Sequence, residues 1–258
     1  MKILWPIILT ILMFSGSKSV VNTNNQSNSS QDKKLIKSYV VDNKWGSFYT
    51  YNVDNTLQGI VYKEDGVVQC TEVFTYKKGK ISELLKKNTK SGVVVKKHFK
   101  YKRGLIVKQT RYEDGKLSST TQFLYDKNNF LKEISEKGVH NKYEYSKTTY
   151  IEKIAENKIR VKRENVATHI ITYDDKQTPE SVISGYKPLV QINNNGIAGN
   201  VLLTEIYTGS DNKPSTTITP EIKFDSDGET VLSSKITYSS PEKKFLEIQE
   251  FKYNYYKK

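Results

Sequence analysis

Apolar and polar residues alternate along most of this chain, and turn residues interrupt the alternation at near-regular intervals. The stretch Val93–Tyr112, VVVKKHFKYKRGLIVKQTRY, shows the unit. Successive side chains of a strand face opposite ways. Val95, Lys97, Phe99 and Tyr101 therefore share one face, and Lys96, His98, Lys100 and Lys102 share the other. The run ends at the turn Lys102-Arg103-Gly104, and a second run, Leu105–Tyr112, leads away. One hairpin thus carries an apolar, aromatic face backed by a basic one.

The same phrase, an aromatic or Ile, one residue, then an aromatic before a turn, recurs. It is found as Tyr49/Tyr51, Phe74/Tyr76, Phe99/Tyr101, Phe123/Tyr125 and Tyr143/Tyr145, with weaker copies at Ile171/Tyr173, Ile222/Phe224 and Phe251/Tyr253. The second members are spaced by 25, 25, 24, 20 and 28 residues as far as Tyr173. A repeat of this length is the signature of stacked supersecondary units. Gly or Asn follows the pair in Lys78-Gly79, Arg103-Gly104, Asn128-Asn129 and Asp227-Gly228. Both residues tolerate the positive φ of tight hairpin turns. No segment shows a long 3.6-residue apolar period, so little helix is expected. The fold predicted is all-β, with repeated antiparallel β-hairpins of period about 25 residues in a curled or folded meander sheet. About eight units are expected, each of two strands of roughly ten residues. Their aromatic face has to be covered by closure, by a sandwich or in some other way. A membrane barrel is the rival, since strands near ten residues can span a bilayer. Few strand positions, however, form an apolar lipid-facing band.

The ends of the repeat region read differently. Lys2, the apolar run Ile3–Phe14 and the small residues Ser15-Gly16-Ser17 follow the order of a secretory signal peptide, assigned to residues 1–19. The run is too short to cross a bilayer, so no membrane span is expected in the mature chain. Leu12–Ser17 resembles a lipobox, but Ser17 stands where the lipid-accepting Cys belongs, so the exported product is expected to be non-lipidated, and periplasmic or extracellular. Residues 20–40, with the Asn-, Ser- and Gln-rich run Asn22–Asp32, read as a polar flexible tether. A single domain is expected over 41–258. It is interrupted near 178–220 by an irregular insertion, where Pro179, Pro188, Pro214, Pro220 and the Asn193–Gly199 cluster accumulate. Val201–Tyr207 is the strand expected to survive there. Such a loop is either a binding element or a crossover. Cys70 is the only cysteine, so no intramolecular disulfide is available, and it reads as a small buried hydrophobe.

Tyr125-Asp126, Tyr173-Asp174 and the stretch Phe224-Asp225-Ser226-Asp227-Gly228 carry a family likeness. Between Tyr49 and Tyr253 the chain loosely resembles the YD repeats of Rhs-like secreted bacterial proteins. The resemblance implies an antiparallel hairpin array in the envelope or outside the cell. It transfers no active-site residues.

Chemistry is sparse. His98, His140 and His169 lack metal-site spacing, and no nucleophile elbow, phosphate loop or zincin helix is present. No catalytic residue, metal site or cofactor is assigned. The charge is more informative. Lys77–Lys116 holds fourteen Lys/Arg against Glu83, Glu113 and Asp114, which is most of the net +13. Such a surface attracts polyanions. Lys96, His98, Lys100, Lys102, Arg103, Lys108 and Arg111 are the candidate binding residues. Anionic polysaccharide, lipopolysaccharide and extracellular nucleic acid are the candidate partners. The plain alternative is a solvated face, where Lys deters edge-to-edge aggregation. The function expected is therefore a non-enzymatic exported repeat protein that binds an anionic polymer. A structural module docking an envelope protein is the alternative, and a periplasmic enzyme is third.

Overall fold

The computed structural model describes residues 35–163, 168–177, 179–181, 183, 186–193, 200–208, 214–226, 230–240 and 247–256. The signal-peptide assignment and the tether as far as 34 lie outside the described residues. The strands in chain order are β1 (Ile36–Val41), β2 (Trp45–Tyr51), β3 (Leu57–Glu64), β4 (Val67–Lys77), β5 (Lys80–Asn88), β6 (Val94–Lys102), β7 (Leu105–Glu113) and β8 (Lys116–Tyr125). They continue as β9 (Leu131–His140), β10 (Tyr143–Ala155), β11 (Lys158–Arg163), β12 (Thr168–Gln177), β13 (Asn200–Thr208), β14 (Pro214–Phe224), β15 (Val231–Ser239) and β16 (Glu247–Tyr255). One helix, α1 (Lys187–Asn193), lies between β12 and β13. Each strand pairs antiparallel with its sequence neighbour, and β1 pairs with β16, so the meander closes into a sixteen-strand barrel.

Turn chemistry sets the hairpins. Asp65-Gly66, Lys78-Gly79, Arg103-Gly104 and Asp114-Gly115 all have two consecutive positive φ angles, 47–53° and then 70–86°. Two such residues make the tight turn whose twist matches that of the flanking strands. The even-to-odd connections, including Lys78-Gly79 and Arg103-Gly104, gather at one end of the barrel, here the Gly79 end. Asp65-Gly66, Asp114-Gly115 and Asn141-Lys142 lie at the other, the Gly66 end.

The repeat has a structural meaning at the Gly79 end. Five hairpins break register just before the second aromatic position, between Thr50/Tyr51, Thr75/Tyr76, Lys100/Tyr101, Leu124/Tyr125 and Lys223/Phe224. The aromatic then faces a buried aliphatic residue that opens the next strand: Leu57, Ile81, Ile106, Leu131 and Val231. The phenol reaches back to a carbonyl of the preceding strand or, for Tyr173, of the turn that precedes it. Tyr51 donates to the Ile36 carbonyl at 2.8 Å, Tyr76 to Leu57 at 3.0 Å, Tyr125 to Ile106 at 2.9 Å and Tyr173 to Glu156 at 3.0 Å. Tyr255 donates to Val231 at 2.6 Å. These bonds tie successive hairpins together and satisfy carbonyls where the ladder is broken by the bulge. Tyr101 is the exception, since its buried hydroxyl has no partner among the described residues.

Two of the expected repeat copies are displaced. Tyr143 and Tyr145 open β10 at the Gly66 end, and Tyr143 is 79% exposed, so the short 20-residue step marked a false copy. In the last unit Tyr255, not Tyr253, holds the terminal position. Two boundaries also move. Ile36–Val41 is a barrel strand rather than the end of a tether, because Ile36 is fully buried once β1 closes the sheet. The insertion ends before β13, since Pro214–Phe224 is strand. Pro220 is tolerated because the β13–β14 ladder ends at Ile218.

The aromatic face lies inside. Tyr49, Phe74, Phe99, Phe123, Ile171 and Phe251 belong to one buried cluster, which also takes in Ile183, Tyr186, Leu189, Val190 and Ile192 of the β12–β13 connection. The outer wall is mixed, with charged pairs among exposed apolar residues such as Val73, Leu117, Leu124, Tyr150 and Leu232. Glu221 faces Lys235, and Lys235 faces Glu250, in one row across β14–β16. Arg160 pairs with Glu152 across β10–β11 at 2.8 Å.

The tyrosine bonds give a paired prediction. Tyr125→Phe should lower stability by about 1 kcal/mol, the net value of one hydrogen bond. Tyr101→Phe should leave it unchanged or raise it. Equal losses in chemical denaturation would contradict this role for the phenols.

Candidate functional site

The charged hairpins β5–β8 display two different surfaces. On the outside, β6 presents Lys96, His98, Lys100 and Lys102, as its alternation requires, and Arg103 is exposed in the turn. Lys108 joins them because the bulge at Lys100/Tyr101 shifts β7 by one residue, setting Lys100 and Lys108 directly opposite each other. Glu83 lies beside this group, 3.3 Å from Lys96 Nζ and 3.6 Å from His98 Nδ1. The His98 ring stands edge-on to Tyr112 at 5.5 Å. Lys100, Lys102 and Lys108 have no ion-pair partner among the described residues. Like charges opposed across strands are destabilising, by an amount that solvent screening keeps small.

Arg111 does not join the outer group. It stands three residues from Lys108 on the same strand and so faces the interior, where it pairs with Glu113 at 2.9 Å. It faces Lys97 on one side and Ser119 on the other. Nearby inward pairs are Glu72–Lys86 at 3.0 Å, where Glu72 also accepts from Tyr62, and Glu136–Lys147 at 2.7 Å, where Glu136 also accepts from Tyr145. Sequence reasoning placed Lys97 on the apolar face but gave it no role. Its signal was there to read: a lysine between Val95 and Phe99 on a stripe otherwise apolar and aromatic.

The β12–β13 connection packs into the barrel at the Gly79 end. Tyr186 meets Phe74 edge-on at 5.6 Å, and Gln191 donates to the Asn129 carbonyl at 3.4 Å. Glu180 is buried with them. Its Oε1 accepts from Tyr49 at 3.2 Å, while its Oε2 has no partner. Desolvation raises the Glu180 carboxyl to about 7, only partly offset by its hydrogen bonds. Cys70 is buried too, and desolvation raises its thiol, which disfavours the nucleophilic thiolate. The three histidines are far apart: His140 is exposed at the Gly66 end, and His169 is buried against Tyr207 with Nδ1 3.0 Å from Glu205. Among the described residues no cluster of three His, Cys, Asp or Glu could hold a metal.

No protein-family model and no curated protein matches this sequence. Solved structures do resemble the fold. A porin-like protein from Bacteroides uniformis ATCC 8492 superposes with a TM-score of 0.58 at 15% identity, covering 87% of this chain and 98% of that one. A porin-like protein from Bacteroides vulgatus ATCC 8482 gives 0.46 at 12% identity, covering 86% and 99%. The first likeness shows a shared barrel architecture.

The Glu180 carboxyl fixes the sign of one pH effect. Its pKa is raised on folding, from 4.5 to about 7, so the native state holds a proton that the unfolded state releases in that window. Stability therefore falls as pH rises from about 4.5 to 7 and stays lowered above it, by about 3 kcal/mol from this group. Glu180→Gln should remove that fall, measured by denaturant unfolding at pH 5 and pH 8. An unchanged pH dependence in the variant would contradict it.

Proposed function

We propose that this chain is an exported, non-enzymatic envelope protein whose barrel stands in water and whose basic outer face binds an anionic polymer. The observation that carries the binding reading is the outward group on β6 and β7. Lys100 and Lys108 are opposed in register, Lys102 and Arg103 extend the group to the turn, and Glu83 is engaged at its edge. Clustered, solvated cations on a rigid sheet bind phosphate, sulfate or carboxylate polymers through counterion release. Lipopolysaccharide, acidic polysaccharide and extracellular nucleic acid share that chemistry.

The polarity of the wall supports a location in water. A membrane barrel carries an apolar band outside and polar residues within. This wall is arranged the other way. Glu221, Lys235 and Glu250 form a charged row near the middle of three outer strand faces, and the aromatic residues turn inward. A cation at the bilayer midplane costs about 2–4 kcal/mol in such barrels, so this charged row supports the reading of a barrel in water. The words "porin-like" describe the structural neighbour. For this chain the shared feature is the barrel architecture, here with a packed, largely apolar interior.

Retention on heparin and on lipopolysaccharide should fall steeply and log-linearly as salt rises. The triple variant Lys100→Glu, Lys102→Glu, Lys108→Glu should lose about tenfold or more in affinity at fixed salt, with unfolding unchanged. Salt-insensitive retention, or equal retention of the variant, would overturn the polymer reading.

A further inference from the structure

Along the inner face of β4–β10 the charges do not balance. Glu72 closes on Lys86, Glu113 on Arg111 and Glu136 on Lys147. Lys97 faces the same interior, and no ion pair or hydrogen bond to it is found among the described residues. It keeps some accessible surface, yet desolvation lowers its pKa, and the attraction of Glu72 and Glu136, opposed by Arg111 and Lys86, does not restore it. That combination places the ammonium at an internal recess rather than in bulk solvent. An unpaired charge held there is costly unless a counter-charge joins it.

The residues beside Lys97 form a row of donors. Registered pairing sets Lys97 against Arg111, Arg111 against Ser119, Ser119 against Gly138 and Gly138 against Tyr145, across β6–β10. Ser119 Oγ is buried beside Glu136 and Tyr145, but no well-formed hydrogen bond reaches it. Gly138 keeps the row close-packed, since a Cβ there would lie 2.5 Å from the Ser118 carbonyl and 2.8 Å from the Tyr145 hydroxyl. Ammonium, guanidinium and hydroxyl therefore converge on one inner strip, and two of the three lack a partner of their own. The row lies near the Gly66 end, and the inward-facing Lys147, one row deeper on β10, keeps a side chain 64% exposed, so solvent reaches the strip.

We propose that this inner row, Lys97 with Arg111 and Ser119, binds a small oxyanion, the carboxylate, phosphate or sulfate group of a ligand entering from the Gly66 end. The site is distinct from the outer basic face: it lies on the opposite side of the same strands and does not depend on the polymer reading. The bound group supplies the counter-charge that the three internal ion pairs leave missing. Lys97 provides the charge, Arg111 a planar donor already oriented by Glu113, and Ser119 a neutral donor that completes the contact.

Inorganic phosphate, sulfate and acetate, titrated at constant ionic strength against a chloride control, are the probes. The intact protein should show saturable binding by calorimetry and a saturable rise in melting temperature. Lys97→Met, close in volume and uncharged, should weaken that binding about tenfold or more, the loss of one charge-assisted hydrogen bond. Lys97→Arg should retain it, and so should the outer Lys100→Glu, Lys102→Glu, Lys108→Glu variant. If Lys97→Met does not fold, phosphate should still protect Lys97 of the wild-type protein from reductive methylation, read by mass spectrometry. No saturable response to any of the three anions, equal binding by a folded Lys97→Met, or methylation of Lys97 indifferent to phosphate would each overturn the proposal.

Discussion

Sixteen strands that all carry bulky side chains on the same face can remain in water only if that face is enclosed. Pairing of β1 with β16 encloses it, and the rest of the structure follows from that closure. A barrel of this many strands ordinarily surrounds an aqueous channel. Here the inner face is filled with aromatic and aliphatic side chains, and the β12–β13 connection adds Ile183, Tyr186, Leu189, Val190 and Ile192 to the same cluster. That connection is therefore part of the core. At the Gly79 end, bulges turn Tyr51, Tyr76, Tyr125 and Tyr255 back onto the carbonyls of preceding strands. The repeat in the sequence is this lock, copied from hairpin to hairpin.

Much of this was legible because local rules and the global fold agree. Alternation identified the inner face of β6, and Lys78-Gly79 and Arg103-Gly104 marked their turns. The count of hairpins followed from the spacing. Closure was not legible, because it depends on β1 meeting β16 across the whole chain, and Ile36–Val41 has no aromatic repeat phrase to announce it. The insertion was legible as a break and not as a core element. Its prolines and Asn/Gly cluster signalled irregular backbone, while its apolar residues were too short a run to show which way they would pack. Bulges also hid part of the candidate site. One extra residue in β7 brings Lys108 outward opposite Lys100, and simple counting along the strand could not supply that residue. Arg111 was separable from Lys108 by parity alone, since residues three apart on a strand face opposite ways.

The two faces of β6 and β7 give the molecule two different electrostatic surfaces only one strand layer apart. Outside, lysines repel one another in water, where screening makes the penalty small and a long anionic partner can relieve it. On the inner face of β4–β10, three carboxylates are each matched by a cation and one ammonium is left over, in surroundings where an unmatched charge is far more costly. The Glu180 carboxyl makes the complementary case at the Gly79 end. It has no cation beside it, so burial favours its protonated form, and Tyr49 supplies its hydrogen bond. The charged groups therefore belong to the outer wall and the Gly66 half, and the apolar packing is concentrated toward the Gly79 end.

The central claim is that this barrel packs its aromatic face inside and faces water outside. The most direct test is the behaviour of the protein in detergent-free buffer, followed by sedimentation velocity and small-angle scattering. The account predicts recovery in the soluble fraction as a compact particle of unchanged size when detergent is added. Recovery only from membranes, with detergent needed to keep the barrel dispersed, would contradict it.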